Sequence, residues 1–204
     1  MYTTSALGYQ TMKIALLAVS GKPYHSGHDG LVRKAASEND RVMLFVSTSD
    51  RERPGEVPIK GSDMAHIWKS YIEPTLPDNV IVEYGGSPVR KIYDLLGKAN
   101  ETHSKNTYVV YSDPQDLAQN FPEKNMVKYL GDIWKNKQVK LVPVQRTSTV
   151  NVSGTKMREF LAKGDKKSFL QNLPQEVDGN AIWNILSKHR TEAFLRDYIK
   201  LVLI

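Results

Sequence analysis

Short, mainly apolar runs alternate with amphipathic segments along most of this chain. Residues 14–19, 41–47, 79–84, 106–111 and 139–144 form five such runs. Runs of this length are typical of strands that are buried on both faces of a sheet. The intervening segments place apolar residues at helical spacing, and strands that alternate with helices indicate parallel pairing through right-handed crossovers. The pattern therefore predicts an α/β fold of Rossmann-like type, a three-layer sandwich around a parallel sheet of about five strands.

The two ends of the chain differ in character from its middle. Residues 1–11 are polar and unpatterned, so we interpret them as an N-terminal extension, with Met12 as a candidate natural start. Residues 12–163 carry the α/β pattern. Residues 164–204 predict a helix at 165–173 and another from 179 onward, with apolar residues on one face. We expect this helical C-terminal segment to pack on the same domain, and a contact in a homo-oligomer is the alternative.

Composition narrows the functional classes. The 204 residues suffice for one domain with a hydrophobic core, and the absence of cysteine excludes disulfides and thiolate metal ligands. No apolar run approaches the roughly 20 residues of a membrane span, so we expect a cytoplasmic protein without membrane contact. The net charge of +6 favours anionic ligands. Because Lys and Arg are dispersed along the chain, charge alone does not distinguish a phosphate metabolite from nucleic acid.

The turn after the first strand carries two histidines three residues apart. His25 and His28 fall where this turn opens a helix, and a helix start favours an anion through its backbone N–H groups and its dipole. Pro23 stiffens the entry to the turn, and Gly27 lets a ligand approach the backbone. A surface turn or half of a metal site is the alternative. No cysteine exists and the next histidine is His66, so we expect no metal held by this pair.

Polar residues follow two other predicted strands. Residues 48–53 follow the second strand, and Ser112 and Asp113 follow the fourth. Open α/β sheets bind ligands at the carboxyl ends of their strands, although residues 48–53 could equally be a solvated loop.

A second polar turn lies near residue 153. Ser153 is a good N-cap, and Met157, Phe160 and Leu161 follow at helical spacing. This turn again offers N–H groups and hydroxyls to an anion, together with the cation of Arg158. Taken alone, it is an ordinary helix cap.

Together, the two turns resemble the two signatures of the HxGH nucleotidylyltransferase superfamily, which includes cytidylyltransferases and adenylyltransferases. The first signature is His-x-Gly-His with a preceding Pro, and the second is Ile-Ser-x-Thr-x-x-Arg. The matching residues are Pro23, His25, Gly27 and His28 for the first, and Val152, Ser153, Thr155 and Arg158 for the second. The resemblance covers about residues 12–163 and is greatest to phage-type and cofactor-biosynthesis members. The chain departs from the family pattern at residues 20–22, where Ser, Gly and Lys precede the Pro.

The resemblance implies transfer of a nucleoside monophosphate from a nucleoside triphosphate to a phosphate-bearing acceptor, with release of pyrophosphate. ATP is favoured over CTP, and Mg²⁺ is expected to arrive with the triphosphate. It implies catalytic roles for His25, His28, Lys22 and Arg158. The implied nucleotide-binding residues are Ser20, Gly21, Gly27, Ser112, Asp113, Val152, Ser153, Gly154 and Thr155, and the implied acceptor-binding residue is Arg53.

Two other classes remain open from the sequence. One is a nucleotide- or nucleic-acid-binding protein that keeps the fold without turnover. The other is a fragment related to the aminoacyl-tRNA synthetases, which share the histidine signature. The short chain leaves no room for their tRNA-binding domains, so we expect a small-molecule acceptor rather than nucleic acid.

Overall fold

The computed structural model describes residues 11–54, 56–144, 152–190 and 199. Its centre is a parallel sheet with the strand order β3-β2-β1-β4-β5. The strands are β1 (Lys13–Val19), β2 (Arg41–Val46), β3 (Val80–Tyr84), β4 (Thr107–Ser112) and β5 (Val139–Pro143). The Rossmann-like prediction is confirmed, and all five predicted strands are present with small shifts at their ends. The edge strand β5 ends at Pro143, which cannot donate a ladder hydrogen bond.

Helices follow the strands as the crossover pattern requires. They are α1 (Ser26–Glu38), α2 (Gly61–Ile67), α3 (Pro88–Glu101), α4 (Pro114–Asn120), α5 (Glu123–Leu130), α6 (Asp132–Lys135), α7 (Gly154–Lys163), α8 (Lys166–Gln171) and α9 (Gly179–Ser187). A π-helical segment, Trp68–Ile72, and a 3₁₀ turn, Glu73–Thr75, continue α2. Among the described residues, no helix combines the length and the apolar character that crossing a bilayer requires.

Two hydrophobic clusters lie on the two faces of the sheet. Successive residues of β1 point to opposite faces, so that Leu17 joins one cluster and Leu16 the other. The first cluster contains residues of α1, α2, α7, α8 and α9, and the second contains residues of α3 to α6. Helices α8 and α9 therefore share a core with the sheet, through Phe169 and Leu186. The rest of the predicted C-terminal helix, including Phe194 and Leu195, lies outside the described residues, as do residues 1–10.

An acidic side chain of α2 binds the end of α9. Asp63 accepts a hydrogen bond from Lys188 Nζ at 2.8 Å, and its second carboxylate oxygen lies 2.6 Å from His189 Nε2. Burial disfavours the charged form of Asp63, but the hydrogen bonds from Lys188 and His189 outweigh burial and lower the pKa of this carboxyl group. This ionic clamp, Asp63–Lys188–His189, ties the C-terminal segment to the helix that follows β2.

We expect Asp63→Asn to lower the free energy of unfolding by about 1–3 kcal/mol, because it weakens two hydrogen bonds to a partly buried charge. The folded pKa lies below the unfolded value of about 3.9, so the contribution of Asp63 is complete above that pH. The difference from wild type should therefore shrink as the pH falls through the lowered pKa. Urea unfolding between neutral and acidic pH measures it. Asp94→Asn, which breaks an exposed pair with Arg90, is the control and should change stability by less than about 0.5 kcal/mol.

Candidate active site

A cavity of about 760 Å³ opens at the carboxyl ends of β1 and β4. These strands are neighbours in the sheet, but the chain reaches β4 only after crossing to β2 and β3 on the other side of β1. Such a switch point leaves a crevice between diverging connections, which is where open α/β sheets bind ligands. The starts of α1, α3, α4 and α7 complete its walls. Both sequence signatures contribute residues to this cavity.

The two histidines lie against each other at the start of α1. His25 is the N-cap, and its Nδ1 accepts a hydrogen bond from the Gly27 N–H at 3.2 Å. In the neutral ring the proton therefore lies on Nε2, which makes Nε2 the donor. His28, one turn into the helix, stacks on His25 with 3.8 Å between ring centroids. Both line the cavity, so the structure brings together the pair that the sequence predicted.

The rings of Tyr24 and Trp68 extend the histidine stack and form a ring column with it. His28 also stacks on Tyr24, with centroids 5.6 Å apart, and Tyr24 contacts Trp68 edge-to-face at 4.7 Å. Tyr24 and Trp68 are buried. Gly21 closes the loop over Trp68: its φ is +53°, and an added Cβ would lie 3.0 Å from the indole. Gly21 does not line the cavity, so its visible role is to let the loop pack on the ring column.

The start of α1 offers fewer backbone donors than the sequence suggested. The N–H of Ser26 donates to the carbonyl of Asn172, and the N–H of His28 donates to the carbonyl of His25. The Gly27 N–H is bound by the His25 ring. The first three N–H groups of the helix are therefore already satisfied by the protein. An anion at this place would interact with side chains and with the helix dipole rather than with this turn's N–H groups.

Lys22 reaches the cavity from a mostly buried position. Its Nζ donates to Ser47 Oγ at 3.0 Å and to Ser49 Oγ at 2.9 Å. Burial and the charge of Arg51 lower the pKa of Lys22, and Asp50 opposes this effect. Two neutral hydroxyls leave the ammonium charge uncancelled. A phosphate group in the cavity would therefore favour the charged form of Lys22.

The second signature begins α7 as predicted. Ser153 is the N-cap, and its Oγ accepts a hydrogen bond from the Lys156 N–H at 3.2 Å. Gly154 lies where an added Cβ would be 3.1 Å from Arg158 Nη1 and 3.6 Å from the Lys22 carbonyl. A side chain at 154 would therefore require a small shift of the Arg158 guanidinium. Val152, just before α7, and Thr155, in its first turn, both line the cavity.

Arg158 links the two signatures. Its Nη1 donates to the Lys22 carbonyl at 2.9 Å, and its Nη2 donates to Thr155 Oγ1 at 2.9 Å. Its Nε lies 3.0 Å from a Glu56 carboxylate oxygen, without the alignment of a hydrogen bond. The guanidinium is 7% exposed yet lines the cavity. In this structure it is tied to protein acceptors, so it could give phosphate only the N–H groups that these contacts leave over.

Arg51 is a cavity residue that the sequence reasoning missed. Arg51 lines the cavity, and two nitrogens of its guanidinium donate hydrogen bonds to the Glu56 carboxylate, Nε at 2.9 Å and Nη2 at 3.1 Å. Arg53, the predicted acceptor-binding residue, is exposed and is not among the lining residues. Arg51 also forms an antiparallel bridge with Ile59, which brings these two parts of the loop together. Nothing in the local sequence signals this pairing.

Polar and small residues form the rest of the cavity lining. Ser112 ends β4, and Asp113 caps α4 by accepting a hydrogen bond from the Asp116 N–H at 2.9 Å. The other lining residues at the mouths of α1 and α3, none of them predicted, are Gly30, Leu31, Lys34, Pro88 and Val89. Ser20 and Gly27, which the sequence resemblance implied as nucleotide-binding residues, also line the cavity. The cavity lining thus contains both cations, among them Lys22, Arg51 and Arg158, and the carboxylates of Asp113 and Asp116.

Within the described part of the chain, no group of three or more His, Asp or Glu side chains could hold a metal ion. A divalent ion at this site would depend on ligands brought by the substrate.

Comparison with known proteins was informative only for three-dimensional structure. No protein-family model and no curated protein matches the chain. Among solved structures, the chain matches Plasmodium falciparum nicotinic acid mononucleotide adenylyltransferase complexed with NaAD, with a TM-score of 0.56 and 16% identity over 87% of this chain and 98% of that one. It also matches a Francisella tularensis bifunctional NMN adenylyltransferase/ADP ribose pyrophosphatase, with a TM-score of 0.57 and 12% identity over 95% of this chain and 57% of that one.

A third match is Thermotoga maritima TmcAL bound with alpha-thio ATP, with a TM-score of 0.52 and 15% identity over 89% of this chain and 56% of that one. The chain thus spans little more than half of the Thermotoga and Francisella proteins. Two of these matches are adenylyltransferases by name, and the shared fold agrees with the Rossmann-like fold that the sequence predicted. At such low identities, the likeness is one of fold.

The loop geometry predicts opposite effects for two glycines. We expect Gly21→Ala to lower the free energy of unfolding by about 2 kcal/mol, because the residue would need a left-handed conformation and its Cβ would press on Trp68. Gly30→Ala, inside α1 with open space around its Cβ, should instead raise stability by about 0.5–1 kcal/mol. Denaturant unfolding of both variants measures this, and equal stabilities would contradict the packing of Gly21 on the ring column.

Proposed function

We propose that this chain is a nucleotidylyltransferase that transfers a nucleoside monophosphate, preferably from ATP, to a phosphate-bearing acceptor and releases pyrophosphate. The observation that carries this proposal is that both signatures, far apart in sequence, line one cavity at the switch point of the sheet. Two imidazoles and the cations of Lys22, Arg51 and Arg158 are part of its lining. This is the equipment that a polyphosphate substrate needs.

The proposed reaction is a direct in-line displacement. An oxygen of the acceptor phosphate attacks the α-phosphorus, a new P–O bond forms, and the bond from the α-phosphorus to the bridging oxygen breaks. Pyrophosphate leaves with that electron pair. A phosphate monoester is already anionic, so the attack needs no general base and no covalent enzyme intermediate.

His25 and His28 would stabilise the charge that develops as pyrophosphate departs. His25 has its donor on Nε2 because Nδ1 is bound by the Gly27 N–H. The stack on Tyr24 and Trp68 holds both rings before substrate arrives. Preorganised donors of this kind act in the transition state without further reorganisation.

Each group of polar and charged residues in the cavity would contact a different part of the substrates. Lys22 lies beside the histidines in the β1–α1 loop, where α- and β-phosphate oxygens would lie. Ser153, Thr155 and the N-terminus of α7 would hold the terminal phosphates, with Arg158 stabilising that turn. Arg51 is better placed than Arg53 to meet the acceptor phosphate, because it lines the cavity and Arg53 does not. Ser112 and Asp113 would contact the nucleoside.

Mg²⁺ would enter with the triphosphate, held by phosphate oxygens and water, and would neutralise part of the phosphate charge. The described residues offer no ligand cluster for it, so none of the steps above is assigned to a protein-bound metal. The preference for ATP is supported by the ATP analogue and AMP found in matched structures.

The test of the proposed function combines binding with turnover. We expect ATP with Mg²⁺ to raise the melting temperature, since a ligand at 100 times its dissociation constant adds about 2.7 kcal/mol of stability. Pyrophosphate release should then appear with one acceptor in a panel of nicotinamide mononucleotide, phosphopantetheine, and sugar and choline phosphates, tested with ATP and CTP. Stabilisation without release for any acceptor would favour a silent nucleotide-binding protein. The absence of stabilisation by all four triphosphates would refute the nucleotide site.

We expect His28→Ala to lower kcat by about 10²–10³, with a smaller change in triphosphate affinity, because its donor acts mainly when charge develops. His66→Ala is the matched control: His66 is exposed on α2, outside the cavity, and its loss should leave kcat unchanged. Steady-state pyrophosphate release measures both. Normal turnover in a folded His28→Ala variant would remove His28 from the reaction.

A further inference from the structure

One carboxylate bridges two arginines that come from distant parts of the chain. Glu56 binds Arg51 through both oxygens, and the same Oε2 lies 3.0 Å from Arg158 Nε. Arg51 follows β2, whereas Arg158 belongs to α7. The three side chains are only 8–24% exposed. A charged triad this far from solvent is held in one arrangement more firmly than a surface ion pair.

Glu56 is not part of the cavity lining, although both of its arginine partners are. Its loop is anchored by the buried residues Val57 and Ile59. The carboxylate therefore contacts the arginines without itself lining the cavity. It uses the Nε/Nη2 edge of Arg51 and leaves that side chain's other N–H groups for a ligand.

The charges explain why such a carboxylate is needed. Burial and the charge of Arg51 lower the pKa of Arg158, and the same two causes lower the pKa of Lys22, so Arg51 repels both of the other cations. The hydrogen bonds from Arg51, together with the charges of both arginines, lower the pKa of Glu56 and keep it ionised. Without this anion, the two guanidinium groups would share no acceptor, and nothing would offset their mutual repulsion before substrate binds.

We propose that Glu56 is a positioning residue, which fixes Arg51 and Arg158 side by side so that both present N–H groups to the phosphates of bound substrate. The ligand class is a polyphosphate, or two phosphate groups brought close together, because Lys22, Arg51 and Arg158 offer several positive charges to a ligand that carries several negative ones. This inference rests on the proposed function for its substrate, and on the ion-pair geometry for the role of Glu56.

The experiment compares two charge-removing variants of the same loop. Glu56→Gln removes the bridging charge, whereas Glu52→Gln removes an exposed carboxylate that pairs with Lys60 outside the cavity. Each variant raises the net charge by one, so general attraction alone would tighten anion binding in both. We expect Glu56→Gln to bind inorganic tripolyphosphate about tenfold more weakly than wild type, by titration calorimetry at about 0.15 M salt, and Glu52→Gln to stay within about twofold.

The kinetic signature separates positioning from mere stabilisation. In an active enzyme, Glu56→Gln should raise KM for the triphosphate about tenfold and leave kcat within about threefold, the reverse of the His28 effect. Glu56→Asp keeps the charge but shortens the reach, so its affinity should fall between those of wild type and Glu56→Gln; it also serves if the Gln variant does not fold. Unchanged or tighter tripolyphosphate binding in folded Glu56 variants would overturn the proposal, even if their melting temperatures fell.

The two proposals fail in different ways. If wild type binds tripolyphosphate and Glu56→Gln weakens it, but no acceptor gives pyrophosphate release, Glu56 positions the arginines and the transferase proposal is wrong. If wild type turns over and Glu56→Gln binds as tightly as wild type, the transferase stands and the role of Glu56 is wrong. If wild type binds neither tripolyphosphate nor any triphosphate, both are wrong.

Discussion

The hydrogen bond from Arg158 to the carbonyl of Lys22 is the contact on which the site depends. It is buried, it joins residues far apart in sequence, and its donor carries a charge. A buried guanidinium that lost this acceptor would leave a desolvated donor unsatisfied, at a cost of about 1–3 kcal/mol. Gly154 lies close beside this contact, where an added Cβ would be 3.1 Å from Arg158 Nη1. The histidine turn and the start of α7 are therefore held at one mutual distance before any ligand binds.

The site keeps a surplus of positive charge, and the folded protein tolerates it by using different kinds of partner. Lys22 is held by hydroxyls, which satisfy its donors without cancelling its charge. Arg158 is held by a carbonyl, a hydroxyl and a shared carboxylate. With one bridging carboxylate among three cations, the cavity remains attractive to anions. A cluster whose charges were fully neutralised would be more stable in the folded protein, and it would bind a polyanionic ligand less tightly.

Much of the fold could be predicted from the sequence because its signals are local. The apolar runs predicted the strands, and Ser153, a common N-cap residue type, predicted the start of α7. The histidine turn was predictable because a strand end, a proline and a helix start are adjacent in the chain. Parallel sheets bring successive strand ends to one edge, and Ser112 and Asp113 accordingly line the same cavity as the histidines.

The remaining parts of the site depend on contacts between distant residues. Arg51 and Arg53 have the same residue type and lie two positions apart, yet Arg51, which bridges to Ile59, lines the cavity and Arg53 does not. The pairing of Glu56 with Arg158 requires α7 to pack beside the loop after β2. Likewise, the sequence suggested open N–H groups at the start of α1, but it could not reveal that a carbonyl of Asn172 takes the first of them.

That Asn172 carbonyl has a consequence for where the folded unit that contains the cavity ends. It lies after α8, beyond the stretch that carries the two signatures, yet it fixes the first backbone donor of the helix that bears both histidines. A chain cut after α7 would keep every signature residue but would leave the start of α1 to find another acceptor, and it would also lose Phe169 from the core. The boundary suggested by motifs is therefore shorter than the boundary set by hydrogen bonding, and shortened versions of this protein should retain α8 and the turn that follows it.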